Sequence, residues 1–77
     1  MSATLPSVRP AAVMRALARV GFVEVRVKGS HHRFVHRTDP TRATTVPVHQ
    51  GHDMPLGTLR SILKQAGLTV DEFIALL

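Results

Sequence analysis

The 77-residue sequence contains no cysteine, which excludes disulfides, thiolate metal sites and cysteine nucleophiles. Small secreted domains are commonly cross-linked by disulfides, so this absence favours the cytoplasm. The sequence also lacks an apolar run approaching the roughly 18 residues of a membrane span. The opening residues MSATLPSVRP contain no apolar stretch of the kind found in signal peptides. These absences predict a cytoplasmic protein with no membrane partner.

Acidic residues are also scarce, with five Asp and Glu against ten Lys and Arg, a net charge of +5. Arginine predominates among the cations, and its planar guanidinium suits forked contacts with phosphate. Half of the cations lie in one segment: Arg26, Lys28, Arg33, Arg37 and Arg42. This excess favours a polyanionic partner, although a generic basic surface has the same composition.

The first predicted element is a helix that begins near Pro10. Val13, Leu17 and Val20 recur at positions i, i+4 and i+7, which is one apolar stripe of a helix. Proline is tolerated in a first helical turn, and Gly21 is suitably placed just beyond the last turn.

Three strands are predicted next. In FVEVRVK (22–28) valines alternate with charged residues, which indicates a strand with one solvated face. Gly29-Ser30 is a turn signal, followed by HHRFVHR (31–37) and ATTVPV (43–48). Pro47 cannot donate to a strand ladder, so its amide position should face an edge or a bulge.

Two helices complete the chain. Apolar residues at helical spacing predict the longer one: Leu59, Ile62, Leu63 and Ala66. Gly67 marks its end, and Thr69 with Glu72 forms a capping-box pattern that opens a short helix through Leu77.

The predicted fold is therefore a single α+β domain spanning residues 1–77. A three-stranded antiparallel sheet in so short a chain is covered by helices on one face and open on the other. An open, arginine-bearing sheet face is where such a domain would meet a ligand.

Strand alternation separates the clustered histidines of the second strand. Phe34 is its large apolar residue, so His32 and His36 should point with it towards the helices. The residues of opposite parity should face the open side: His31, Arg33, Val35 and Arg37. Because His31 directly follows the Gly-Ser turn, it is the stronger candidate for a reactive group, with His32 second.

The histidine spacing argues against a metal centre. His32 and His36 stand about 13 Å apart along a strand, too far for one zinc ion to bridge. His49 and His52 flank a loop, but Asp53 is the one nearby carboxylate. We therefore predict no metal and no cofactor.

Acid–base chemistry on RNA suits the sequence better. An unperturbed histidine exchanges protons near neutral pH, and RNA supplies its own nucleophile, the 2′-hydroxyl. One histidine among cations is a sufficient minimal site, with Arg26, Lys28 and Arg33 holding phosphate. His32 and His49 are further predicted RNA contacts, with His49 at the substrate edge. The backbone amides near Gly29 and Ser30 are free to meet phosphate.

Four segments, in this order and spacing, resemble the HicA (YcfA-type) toxin family: LPSVRPAAVMRALARVGF, VRVKGSHHRFVH, TTVPVH and LGTLRSILKQAGLTVDEF. The resemblance implies a fold like the double-stranded-RNA-binding domain, α-β-β-β-α, and a ribosome-independent mRNA endoribonuclease. It also implies a HicB-type antitoxin that covers the active site and represses the operon, so that any DNA contact is indirect. The family's catalytic histidine in Gly-Ser-His falls on His31.

The antitoxin is expected on the Gly29–Arg37 region: Gly29, Ser30, His31, Arg33 and Arg37. One position departs from the family pattern, because His52 stands where lysine is usual, which removes a cation near the presumed RNA path. The main alternative to a ribonuclease is a small RNA-binding domain that recognises phosphate and 2′-hydroxyl groups without cutting. A third hypothesis is a protein-interaction domain whose basic face binds an acidic partner.

Overall fold

The computed structural model describes residues 4–77 and confirms the predicted order of elements. The elements are α1 (Pro10–Arg19), β1 (Phe22–Lys28), β2 (His31–His36), β3 (Ala43–Pro47), α2 (Leu56–Ala66) and α3 (Val70–Ala75). The fold is α+β, as predicted from the sequence. None of the helices within residues 4–77 has the length and apolar character needed to cross a bilayer.

The three strands form one antiparallel sheet in the order β1-β2-β3, so that β3 is an edge strand. Pro47 ends β3 opposite His31. The next residue, Val48, donates its N–H to the Ser30 carbonyl at 2.7 Å. Hydrogen-bonded and non-hydrogen-bonded pairs alternate, so the nitrogen of Pro47 points away from β2. The expectation that Pro47 faces an edge is confirmed.

One face of the sheet packs against the helices. Its buried residues are Phe22, Phe34, Thr44 and Val46, and the helices add Val13, Ala16, Leu17, Leu59, Ile62, Leu63, Ala66 and Phe73. Thr44 is the polar member, and its hydroxyl donates to Gln65 Oε1 at 2.7 Å. The apolar residues predicted from helical spacing therefore do face the core.

The other face of the sheet, called the open face below, is defined by the strand register. Cross-strand partners share a face, and every second residue of a strand returns to it. Its members are Val23, Arg26 and Lys28 on β1, His31, Arg33 and Val35 on β2, and Ala43, Thr45 and Pro47 on β3. The two faces of β2 are therefore the ones that alternation predicts: His32 and His36 share the helix side with the buried Phe34, and His31, Arg33 and Val35 lie on the open face.

Strand β1 contradicts the prediction of a single solvated face. Phe22 is its one buried residue, whereas Val23, Val25 and Val27 are 49%, 57% and 51% exposed. The register shifts between Glu24, which opposes Phe34, and Arg26, leaving an irregularity at Val25. A bulge reverses the alternation of side chains. Glu24 therefore lies on the helix side, while residues 26 and 28 lie on the open face.

Helix α3 begins with the capping box predicted from the sequence. The Thr69 hydroxyl accepts from the Glu72 N–H at 3.0 Å, and Glu72 Oε1 accepts from the Thr69 N–H at 2.8 Å. These hydrogen bonds, led by the one from the Thr69 backbone, lower the pKa of Glu72 below its ordinary value of 4.5.

Glu72→Gln is expected to change how the stability of the protein depends on pH. Because the folded-state pKa of Glu72 is depressed, its stabilising effect is present above pH 4.5 and is lost as pH falls through the folded value. Glutamine retains the capping geometry but does not titrate. In urea unfolding, the advantage of the parent over E72Q should shrink as the pH is lowered below 4.5. An advantage independent of pH would contradict the assignment.

Candidate functional site

The Gly29-Ser30 turn joins β1 to β2 and sets the position of His31. Gly29 has φ of +58°, whereas Ser30 has a negative φ. A two-residue hairpin with positive φ at the first central position alone is a type II′ turn, whose twist suits the flanking strands. Lys28 and His31 are then direct cross-strand partners. The turn role predicted for Gly29 is confirmed.

Gly29→Ala should destabilise the protein by about 1–2 kcal/mol, because L-residues avoid this backbone conformation. A Cβ at Gly29 would meet no heavy atom within 4 Å, so the cost is conformational and not steric. Gly57 is a matched control, since it also has open space but lies in α2 without a positive φ. Urea unfolding should show G57A stabilised by about 0.5–1 kcal/mol. An unchanged G29A would contradict the turn assignment.

His31 is exposed and has a different neighbour on each side within the sheet. Lys28 opposes it from β1, and Pro47 opposes it from β3. The pair with Pro47 is of the non-hydrogen-bonded kind, in which Cα atoms approach to about 4.5 Å. Arg33 is the next open-face residue along β2, opposite Arg26. The imidazole therefore stands at the end of a patch that carries three cations.

The charges of the open face all have the same sign. Its ionisable members other than His31 are Arg26, Lys28 and Arg33, and it contains no carboxylate. Arg33 Nη1 donates to Thr45 Oγ1 at 3.3 Å, which orients one guanidinium on this face. An array of fixed cations beside an exposed imidazole can hold a phosphate and exchange a proton with a group attached to it.

His32 and His36 lie on the helix side of the sheet. His32 Nδ1 is 2.5 Å from Glu24 Oε1, so this ring is held by a carboxylate. His36 Nε2 donates to the Val20 carbonyl at 2.9 Å, and its Nδ1 accepts the N–H of Thr38 at 3.3 Å. His36 therefore has a structural role, and contact between RNA and His32 remains a prediction.

The other two cations of the basic segment between Arg26 and Arg42 are Arg42, which contacts the core side of the fold, and Arg37, which is exposed. Arg42 Nε donates to the Ala66 carbonyl at 2.8 Å, and its guanidinium lies 5.4 Å from the centroid of the Phe22 ring. Arg42 thus caps the C-terminal end of α2 and does not belong to the open face. Arg37 follows β2 and is exposed.

The loop between β3 and α2 borders the same end of the sheet as His31. His49 and His52 are exposed on this loop, and with Pro47 they line a cavity of about 470 Å³. Asp53 lines it as well, and its Oδ1 lies 3.0 Å from Arg9 Nε. Sequence reasoning placed His49 near the substrate but missed this cavity. The apolar Met between Asp53 and Pro55 was the available signal of a buried anchor in this loop.

Comparison with known protein families gives a match over most of the chain. Residues 11–68 match the family model described as the HicA toxin of bacterial toxin–antitoxin systems. The matched region contains the three strands, the Gly29-Ser30 turn, His31 and the loop that bears His49. No curated protein matches the chain.

Proposed function

Because the chain belongs to the HicA toxin family of bacterial toxin–antitoxin systems, we propose that it is a ribosome-independent, metal-independent endoribonuclease that cleaves mRNA. The observation that carries the proposal is an exposed His31 at one end of a sheet face whose permanent charges are all positive. Messenger RNA is the substrate, so the cytoplasm is the proposed site of action.

In the proposed mechanism His31 is the general base. Its neutral imidazole takes the proton of a 2′-hydroxyl, and the 2′-oxygen attacks the adjacent phosphorus. The P–O5′ bond breaks, which leaves a 2′,3′-cyclic phosphate on one product and a 5′-hydroxyl on the other. A second donor supplies the proton of the departing 5′-oxygen, and Lys28, His49 and water are the candidates.

The cations of the open face stabilise the charge that develops on the phosphate. Lys28 is the direct cross-strand neighbour of His31, and Arg33 and Arg26 form the next pair along the two strands. Arg33 is oriented by its hydrogen bond to Thr45 Oγ1 at 3.3 Å, which favours its stabilisation of the transition state. The remaining proposed RNA contacts are the backbone amides at Gly29 and Ser30 and the side chains of His32 and His49.

We propose a HicB-type antitoxin as the partner. It would cover the open face and the Gly29–Arg37 region, including Ser30, His31 and Arg33, and so exclude RNA from the imidazole. An acidic surface on the antitoxin would complement the cations of this face. In hydrogen–deuterium exchange of the complex, protection is expected in β2 and the Gly29-Ser30 turn. Protection confined to α2 and α3 would contradict this docking.

The proposal is tested by incubating the purified chain with a ribosome-free transcript in EDTA. We expect fragments that end in 2′,3′-cyclic phosphate, with cutting blocked by 2′-O-methyl substitution at the cleavage site. A transcript that is bound in a salt-dependent manner but stays intact would instead identify an RNA-binding module. Cutting that survives 2′-O-methylation would exclude the mechanism.

A further inference from the structure

The cavity beside His31 has a composition distinct from that of the open face. It measures about 470 Å³, within the range of small-molecule sites. Pro47 and Pro10 contribute apolar wall, and Met54, 3% exposed, anchors the loop. Its polar groups are two imidazoles, of His49 and His52, and one carboxylate. A mostly apolar cavity with a few convergent polar groups is typical of a ligand site.

The exposed imidazoles are the rings on which an RNA base can stack. The chain has no tryptophan and no tyrosine. Its three phenylalanines are buried in the core, with exposures of 4%, 5% and 0% for Phe22, Phe34 and Phe73. Proteins that read single-stranded RNA commonly stack bases on aromatic rings, histidine included. His49 and His52 are therefore the rings in the cavity available for this contact.

The charges of the cavity suit a base better than a phosphate. Asp53 and Arg9 form an ion pair whose charges sum to zero, so this wall offers no net attraction to a phosphate. A carboxylate only accepts hydrogen bonds and has about four acceptor sites, so Asp53 can bind Arg9 and a ligand together. No three His, Asp or Glu side chains within residues 4–77, those of this cavity included, are grouped so that they could hold a metal ion.

The position of the cavity relates it to the reaction. Pro47 is both a wall of the cavity and the cross-strand partner of His31. A nucleotide whose phosphate lies on Lys28 and Arg33 would therefore have its own base, or that of its neighbour, within reach of this cavity. The loop is held in place by the segment that precedes α1, because Met54 donates its N–H to the Val8 carbonyl at 2.7 Å.

We propose that this cavity binds one base of the RNA beside the scissile phosphate and selects guanine. Guanine presents two adjacent donors, N1–H and the 2-amino group, which match the two oxygens of the Asp53 carboxylate. Uracil presents one N–H between two carbonyl oxygens, which the carboxylate repels. The inference rests on the proposed function, since it names what determines the RNA sequence preference of the same site.

The test uses the full chain with His31→Ala, so that contact between the nucleotide phosphate and this imidazole does not contribute to the affinity. The protein is titrated separately with guanosine 5′-monophosphate, uridine 5′-monophosphate and inorganic phosphate. NMR signals of the Met54 methyl and of the His49 and His52 rings are followed. We expect the guanine nucleotide to shift these signals with at least fivefold higher affinity than the uracil nucleotide. Phosphate alone should leave them in place.

Two further variants separate base recognition from the ion pair. Asp53→Asn should reduce the preference for guanine to less than twofold, because an amide presents a donor where guanine needs an acceptor. Arg9→Gln removes the same ion pair but keeps the carboxylate, so it should retain more than threefold preference. Equal shifts by the three ligands, or fivefold preference retained in D53N, would overturn the inference.

Failure of this inference is distinguishable from failure of the ribonuclease proposal. If the parent chain cuts RNA while the guanine nucleotide leaves the NMR signals of the cavity unchanged, the base-binding inference is wrong and the ribonuclease proposal is supported. If the guanine nucleotide binds as expected while RNA remains intact, the cavity is a guanine-binding site and the ribonuclease proposal is wrong.

Discussion

Replacing His31 with alanine is expected to slow RNA cleavage by about 10²–10⁴-fold, the usual contribution of a positioned acid–base group. The side chain is exposed at the start of β2 and packs in no core, so the variant should fold as the parent does. The three cations of the open face remain, and therefore the affinity for RNA should change by less than about threefold. Cleavage of a labelled transcript in EDTA and binding of its 2′-O-methylated analogue measure the two effects separately.

His32→Gln is the informative comparison for this variant. The two histidines are adjacent in sequence, but His32 lies on the opposite face and contacts Glu24 at 2.5 Å. We expect its loss to reduce cleavage by less than about tenfold, well below the range expected for the base itself. A larger loss in H32Q than in H31A would transfer the role of base to His32. Parental activity in a folded H31A protein would remove histidine 31 from the mechanism.

Phe73→Ala is expected to have the largest effect on stability, about 3–5 kcal/mol. Helix α3 has six residues, and Phe73 is its one buried side chain, with no exposed surface. The rest of α3 is too short to persist as a helix without that anchor. A chain of 77 residues has about 4–12 kcal/mol of total stability, so F73A should lose at least about a quarter of it.

Urea unfolding measures this effect, with two variants for comparison. Phe73→Leu keeps most of the apolar volume and should cost no more than about 1.5 kcal/mol, which leaves a folded protein to measure. Ile74→Ala removes a half-buried neighbour in the same helix and should cost about 1 kcal/mol. A loss in F73A no greater than that in I74A would show that α3 is not anchored through this ring.

The elements of the fold were predictable because each depends on local sequence. Helix α1 begins at Pro10 and α2 ends before Gly67, at the positions that their apolar spacing and end signals indicate. On β2, one large apolar residue, Phe34, was sufficient to assign both faces, because alternation continues without a bulge between it and the turn. That alternation is what places His31 on the open face.

Strand β1 shows where local pattern is insufficient. Its three valines suggest a buried face, but it is an edge strand on which the helices cover Phe22 and little else. The irregularity between Glu24 and Arg26 then assigns these two residues to opposite faces. An alternating pattern predicts which residues share a face in a regular strand. It does not predict whether a helix covers that face or where the register shifts.

The sequence by itself determined the order of helices and strands, the glycine turn and the exposure of His31, because these follow from backbone preferences within short segments. The tertiary structure alone decided that Arg42 closes α2, that Glu24 holds His32, and that Arg9 and Asp53 meet beside a cavity. Each of these contacts joins residues from separate parts of the chain. Such contacts depend on how the elements pack, and packing is set by the whole core and not by the residues nearby in sequence.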